Sequence, residues 1–219
     1  MATLQRKARI TGLLYLGLAL AGAAGFLTVR PMLFVAGDPA ATLANLSGHE
    51  SLARAAVVLE LLVVLTQALA AVAFHRLFES SDGLAISVFG MVNAVVILVS
   101  AALLGAAVDD PANGYLLYVV SGHLWTAGGL FFGLWLIPMG HAALTTGWMP
   151  RALGWLLMLG GVGYVLSTFA AYLAPAAVAD VLVVPASAGE LWMIGYLLIR
   201  GVRPARSRDV HSGLVSSPG

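Results

Sequence analysis

Three ionisable side chains stand inside long apolar runs: Glu60, His123 and Glu190. Carboxylates and an imidazole brought together can bind a small molecule or ion, relay a proton, act as general acid, or ligate a divalent metal. A charged residue within a membrane span costs roughly 2.5–3.5 kcal/mol on insertion scales and usually faces a bundle interior or cavity. Each of the three has polar company at helical spacing. Gln67 follows Glu60 by seven residues, Thr126 follows His123 by three, and Ser187 precedes Glu190 by three. Asn93 stands near the middle of another apolar run. The pattern predicts one intramembrane polar site drawn from Glu60, His123, Glu190, Gln67, Asn93, Thr126 and Ser187. Each ionisable group also has a purely structural reading. Glu60 as a neutral acid could bond a helix carbonyl, His123 could be a core histidine with one partner, and Glu190 could brace a kink or pair with Arg54.

The chemistry is bounded by what the chain lacks. With no cysteine there is no disulfide, thiolate metal site or cysteine nucleophile. There is no HExxH and no second clustered histidine, so no metal and no cofactor are expected. His49, His75 and His141 fall in connections or near helix ends. Ser121, Ser167 and Ser187 lack the context of a nucleophile elbow. No phosphate-binding glycine loop follows a strand.

The elements that must position these groups follow from composition. Of 219 residues, 60% are hydrophobic and 10% charged, with a mean hydropathy of +0.95. Soluble domains carry about 25% charged residues. A soluble enzyme, a disordered chain and a nucleic-acid binder are excluded. The fold class is all-α: a polytopic transmembrane helical bundle of about six spans in contact with the lipid bilayer. A span needs roughly 20 mostly apolar residues. Six stretches qualify, near 8–29, 52–74, 84–108, 115–144, 152–173 and 181–199. Counted from these outer starts, Glu60, His123 and Glu190 lie eight to nine residues deep, or roughly 12–14 Å. Residues 1–201 form a single six-helix domain, and 202–219 form a short basic disordered cytoplasmic tail.

Orientation follows from Lys and Arg, which stay on the cytoplasmic side. Arg6, Lys7, Arg9, Arg76, Arg151, Arg200, Arg203, Arg206 and Arg208 fall at one side, against Arg30 and Arg54 at the other. Both termini are therefore expected to be cytoplasmic. The first span begins like a signal peptide, but its apolar run exceeds the roughly 7–15 residues of a signal core. It reads as a retained span.

Small residues at four-residue spacing, Gly17, Ala21 and Gly25 and then Gly163, Ser167 and Ala171, suit close helix approach in lipid. Pro138 and Pro185 predict kinks. Asp38-Pro39 reads as a capped start of a short helix at the outer surface carrying Leu43 and Leu46. Tyr115, Tyr118, Tyr172, Trp148, Trp155 and Tyr196 fit an aromatic belt.

Several strings in order resemble a family. They are Ala8-Arg9-Ile10-Thr11-Gly12-Leu13-Leu14-Tyr15-Leu16, then Gly37-Asp38-Pro39-Ala40-Ala41-Thr42, then His123 leading into Gly128-Gly129-Leu130-Phe131-Phe132-Gly133-Leu134. Gly147-Trp148-Met149-Pro150-Arg151-Ala152-Leu153-Gly154 and Gly189-Glu190-Leu191-Trp192 follow. Over about residues 6–201 the chain resembles the bacterial membrane family called domain of unknown function 4386. The resemblance implies a compact polytopic protein of the bacterial plasma membrane with no established activity. It also implies an acidic residue at Glu60. Members often carry a second histidine a dozen residues after the first; Trp135 stands there instead, which counts against a metal site built on two histidines.

Three functions remain open. The first is binding or transport of a small molecule, ion or proton through an outer-half polar site open to the outside. The second is an intramembrane enzyme that uses acids on a lipid or isoprenoid, as small membrane terpene cyclases do, in a lipid-accessible pocket walled by Trp125 and Trp192. The third is a non-catalytic subunit or regulator whose Glu–His cluster is sealed. A homo-oligomer is open in all three.

Overall fold

A computed structural model describes residues 2–202. Most of the tail expected at 202–219 lies outside the described residues; Val202, its first residue, is buried. The architecture is seven helices: α1 (Ala2–Leu33), α2 (Pro39–Gly48), α3 (Glu50–Phe78), α4 (Ser81–Asp109), α5 (Gly114–Thr146), α6 (Arg151–Leu173) and α7 (Ala176–Ile199). No strand occurs among the described residues. Six of the helices are long and apolar enough to cross a membrane. The protein is a multi-pass membrane protein.

The spans extend past the apolar runs, and two helix starts carry side-chain caps. Ser80 accepts the Gly83 amide at 3.3 Å and starts α4 two residues after α3 ends. Asp38 accepts the Ala41 amide at 2.9 Å and starts α2, with Pro39 in its first turn. Leu43 of α2 is exposed, whereas Leu46 is buried among Leu33, Ala53, Leu104 and Tyr118. The short helix plugs one end of the bundle. Tyr118, expected in the interfacial belt, is buried in that plug.

Helices α3 to α7 pack as successive neighbours, and α1 closes the ring between α3 and α7. At the end opposite α2, the Gln5 side chain donates to the Val202 carbonyl, so α1 begins where α7 ends. Lys7 pairs there with Glu79, the α3 C-cap. The Lys7 ammonium, by its hydrogen bond and then its charge, holds the exposed Glu79 carboxyl below its ordinary range.

Lipid tails are as apolar as leucine, so close packing rather than water exclusion must hold spanning helices together. One tight seam joins α5 to α6. A Cβ on Gly133 would lie 2.6 Å from the Gly161 carbonyl, and one on Gly161 would lie 2.7 Å from the Gly133 carbonyl. Gly140 and Gly154 repeat the reciprocity one heptad away. Of the two expected small-residue stripes, Gly17 does meet Thr66 and Gly25 meets Leu59 across α1 and α3. On α6 only Gly163 is buried against α7, at the Leu182 carbonyl, while Ala171 is exposed.

α1 contains a π-helical stretch, Ala23–Val29. The Arg30 amide donates to the Gly25 carbonyl, five residues back. The buried stripe Ala8, Thr11, Tyr15, Leu18, Ala21 and Gly25 then jumps five residues to Arg30. This wider turn aims Arg30 into the bundle. π-Helical turns occur often at functional sites.

Candidate functional site

A cavity of about 370 Å³ opens inside the ring. All six spanning helices line it. α1 contributes Tyr15, Leu18, Gly22, Ala23 and Leu27; α3 contributes Gln67; α4 contributes Asn93; α5 contributes Trp125, Gly128 and Phe132; α6 contributes Tyr164; α7 contributes Ser187, Glu190 and Leu191. Its size falls within the range of small-ligand pockets.

Glu190 is the only carboxylate in the lining. The Tyr15 hydroxyl donates to its Oε1 at 2.6 Å. Tyr15 is itself fixed between rings: it stacks on Trp135 at 5.6 Å and meets the edge of Phe74 at 5.6 Å. The acid is thus held at one point by a rigid aromatic. Deeper in the bundle wall, Asn93 Nδ2 donates to Gln67 Oε1 at 3.0 Å. This leaves Gln67 Nε2 and Asn93 Oδ1 buried without a partner. A Cβ on Gly128 would come within 2.8 Å of Asn93 Oδ1, so glycine is what makes room for that amide.

Part of the lining is exposed. Leu27 of α1 is 72% exposed and Leu191 of α7 is 66% exposed, yet both line the cavity. Ala23 and Ser187 are exposed beside them. The exposed lining residues thus belong to two neighbouring spanning helices, α1 and α7.

A second polar centre lies outside the cavity lining. Glu60 is buried and its Oε1 is 3.6 Å from Arg30 Nη1. Trp125 Nε1 donates to the same oxygen at 3.0 Å. Arg30 is satisfied further by Ser121 Oγ at 3.0 Å and the Tyr118 carbonyl at 2.7 Å, and Ser121 meets Ser100 at 2.7 Å. The rings of Phe26 and Tyr118 flank the guanidinium at 5.5 and 5.4 Å. Trp125 belongs to both centres: its indole nitrogen holds Glu60 and its ring walls the cavity.

The seven residues expected at one site are thus divided. Glu190, Gln67, Asn93 and Ser187 line the cavity. Glu60 lies in the ion pair with Arg30. His123 points outward: it is exposed, with Nδ1 3.4 Å from the Tyr172 hydroxyl and the rings stacked at 6.1 Å. Thr126 turns back on its own helix and donates to the Gly122 carbonyl at 3.1 Å. The equal depth read from the apolar runs does not hold, because α7 begins at Ala176 rather than near Val181. Glu60 is ten residues into α3 (50 to 60), whereas Glu190 is fourteen into α7 (176 to 190). Nor does Trp192 wall the cavity; it is 41% exposed on the flank. Among the described residues no cluster of three His, Asp or Glu could hold a metal ion.

Two residues that shape these centres escaped sequence reasoning. Arg30 reads as the first residue of a polar connection, and only the π-helical turn carries it inward. Tyr15 reads as an interior aromatic like any other, although its placement in a run matched to the family strings was a signal.

No curated protein and no solved structure matches the chain. The model of a family described as a domain of unknown function (DUF4386) matches residues 10–201, and the chain belongs to that family.

Proposed function

We propose that the protein binds a small amphiphile that enters its cavity sideways from the bilayer. The observation that carries this reading is the exposure of the lining residues Leu27 and Leu191 on neighbouring helices; a lateral mouth between them would lead from exposed apolar surface to Glu190. An amphiphile suits such a site. Its apolar body meets Trp125, Phe132 and Tyr164, and its polar group meets Glu190. A ligand with no polar group would strip water from Glu190 without replacing it, which costs about 1–3 kcal/mol or more.

The test is thermal unfolding of delipidated protein against a panel of lipids, isoprenoid alcohols and alkylamines. A ligand at a hundred times its Kd stabilises by about 2.7 kcal/mol. At least one class should raise the Tm of the wild type. Ser187→Trp, which fills the exposed mouth, should abolish that rise. A panel that leaves the wild type unmoved would sink the reading.

A second reading is favoured by the aromatic walls around a lone acid. Glu190 would protonate an isoprenoid alkene and recover the proton from the resulting carbocation, whose charge the rings stabilise. The net change is an isomerisation or cyclisation. Product analysis after incubation with isoprenoid diphosphates and alcohols separates it from binding alone: new isomers support it, and recovered starting material rejects it.

We further infer a location in the bacterial plasma membrane with both termini cytoplasmic; the basic residues gathered at the end that holds Gln5 and Val202 support that orientation. The natural absence of cysteine makes the test direct. Thr145→Cys should be shielded in intact cells and Ala40→Cys labelled by an impermeant maleimide. The reverse pattern would invert the topology.

A further inference from the structure

Resting on the amphiphile reading, the inference concerns the charge of the ligand. We propose that the cavity takes an organic monocation, an ammonium carried on an apolar body. Glu190 supplies the only carboxylate of the lining, and no Lys, Arg or His among the described residues lines it. Arg30, the one buried arginine among the described residues, is already engaged by Glu60, Ser121 and the Tyr118 carbonyl. A carboxyl in a largely apolar cavity is relieved by a proton or, when ionised, by a cation of its own. The Tyr15 hydroxyl shares the charge at one oxygen without cancelling it.

The walls suit the same ligand. Tyr15, Trp125, Phe132 and Tyr164 line the cavity, and a weakly hydrated cation over an aromatic face gains from the ring's quadrupole. An anion would meet Glu190 with like charge. The Gln67–Asn93 pair keeps its Nε2 and Oδ1 buried and brings no charge to the cavity.

The experiment uses the full chain in nanodiscs of zwitterionic phosphatidylcholine, with calorimetric titration of three probes. These are phenylbutyltrimethylammonium, its neutral isostere with carbon in place of nitrogen, and phenylbutanesulfonate. The wild type should bind the cation at least about tenfold tighter than the isostere, and the sulfonate weakest. Glu190→Gln should bring the cation down to the affinity of the isostere and leave the isostere unchanged. Ser187→Trp should lose both. Equal affinity for cation and isostere in the wild type, or a preference that survives Glu190→Gln, would overturn the cation assignment and leave the amphiphile reading standing. Failure of all three probes and of the lipid panel overturns both. Should Glu190→Gln not fold, Ser187→Trp decides: a cation preference it abolishes supports the proposal, and one that persists rejects it.

Discussion

Glu60 and Glu190 are acids inside the same bundle, the first buried and the second partly buried, and their surroundings differ in kind. Glu60 faces an arginine, an indole N–H and a chain of serine hydroxyls, all delivered by other helices. Glu190 faces one tyrosine hydroxyl and an open cavity. The first arrangement is closed off from the cavity and ties α1, α3 and α5 together through Glu60 Oε1, with Oε2 buried and unpartnered. The second faces open space, as a binding site must. Within one protein, then, the presence of an intramembrane acid says little; its partners say what it is for.

The largest effect should come from breaking the closed centre. Glu60→Leu strands the Arg30 guanidinium, and loss of one partner of a buried pair costs roughly 3–5 kcal/mol. Adding Arg30→Met should recover most of that loss in a thermal melt. Glu190→Gln, by contrast, keeps an oxygen to accept the Tyr15 bond, and should change stability by less than about 1 kcal/mol. Equal losses from the two acids would erase the distinction drawn here.

Next come the glycines. Gly161→Leu drives a side chain into the Gly133 carbonyl and should cost about 1–3 kcal/mol or more. Gly22 lines the cavity, and the nearest atom to an added Cβ is Val63 Cγ2 at 4.0 Å. Gly22→Leu should therefore fold and lose ligand binding, as a melt paired with a titration would show. Trp125→Phe tests the residue common to both centres. It removes one hydrogen bond to Glu60, worth roughly 0.5–1.5 kcal/mol, and should weaken ligand binding together with stability.

The smallest effect lies at the membrane surface. Glu79, held below its ordinary 4.5 by Lys7, contributes stability above the pKa it has when unfolded. That contribution is lost as pH falls through the lowered folded value. A stability profile of Lys7→Met against wild type should converge on the acid side and diverge toward neutrality. Glu79 also adopts a left-handed backbone, φ 47°, so Glu79→Gly should ease the C-cap while removing the pair.

The six spans were legible because length and apolarity suffice to find them. The Asp38 cap was legible because a side-chain acceptor ahead of proline has few other uses. Azimuth was not legible. The spans are apolar on the lipid side as well as the core side, so hydropathy does not say which way a polar residue points. His123 and Trp125 show the difficulty. Two residues apart, they sit about 200° round the helix, so only one can face inward, and Trp125 does. Gln67 does share a face with Glu60, as seven-residue spacing requires. Seven residues are also roughly 10 Å of rise, which puts the two in different centres.

The position of Arg30 has a consequence for how the chain is made. Its carbonyl and hydroxyl partners are on α5, near residues 118 and 121, and its carboxylate is on α3. When α1 enters the membrane its partners on α5 have not been synthesised. The guanidinium must wait in the interfacial water, or draw lipid phosphate to itself, until nearly a hundred more residues follow. The first helix to enter the membrane is thus among the last to reach its final seat, and translation rate through α5 becomes a variable in assembly.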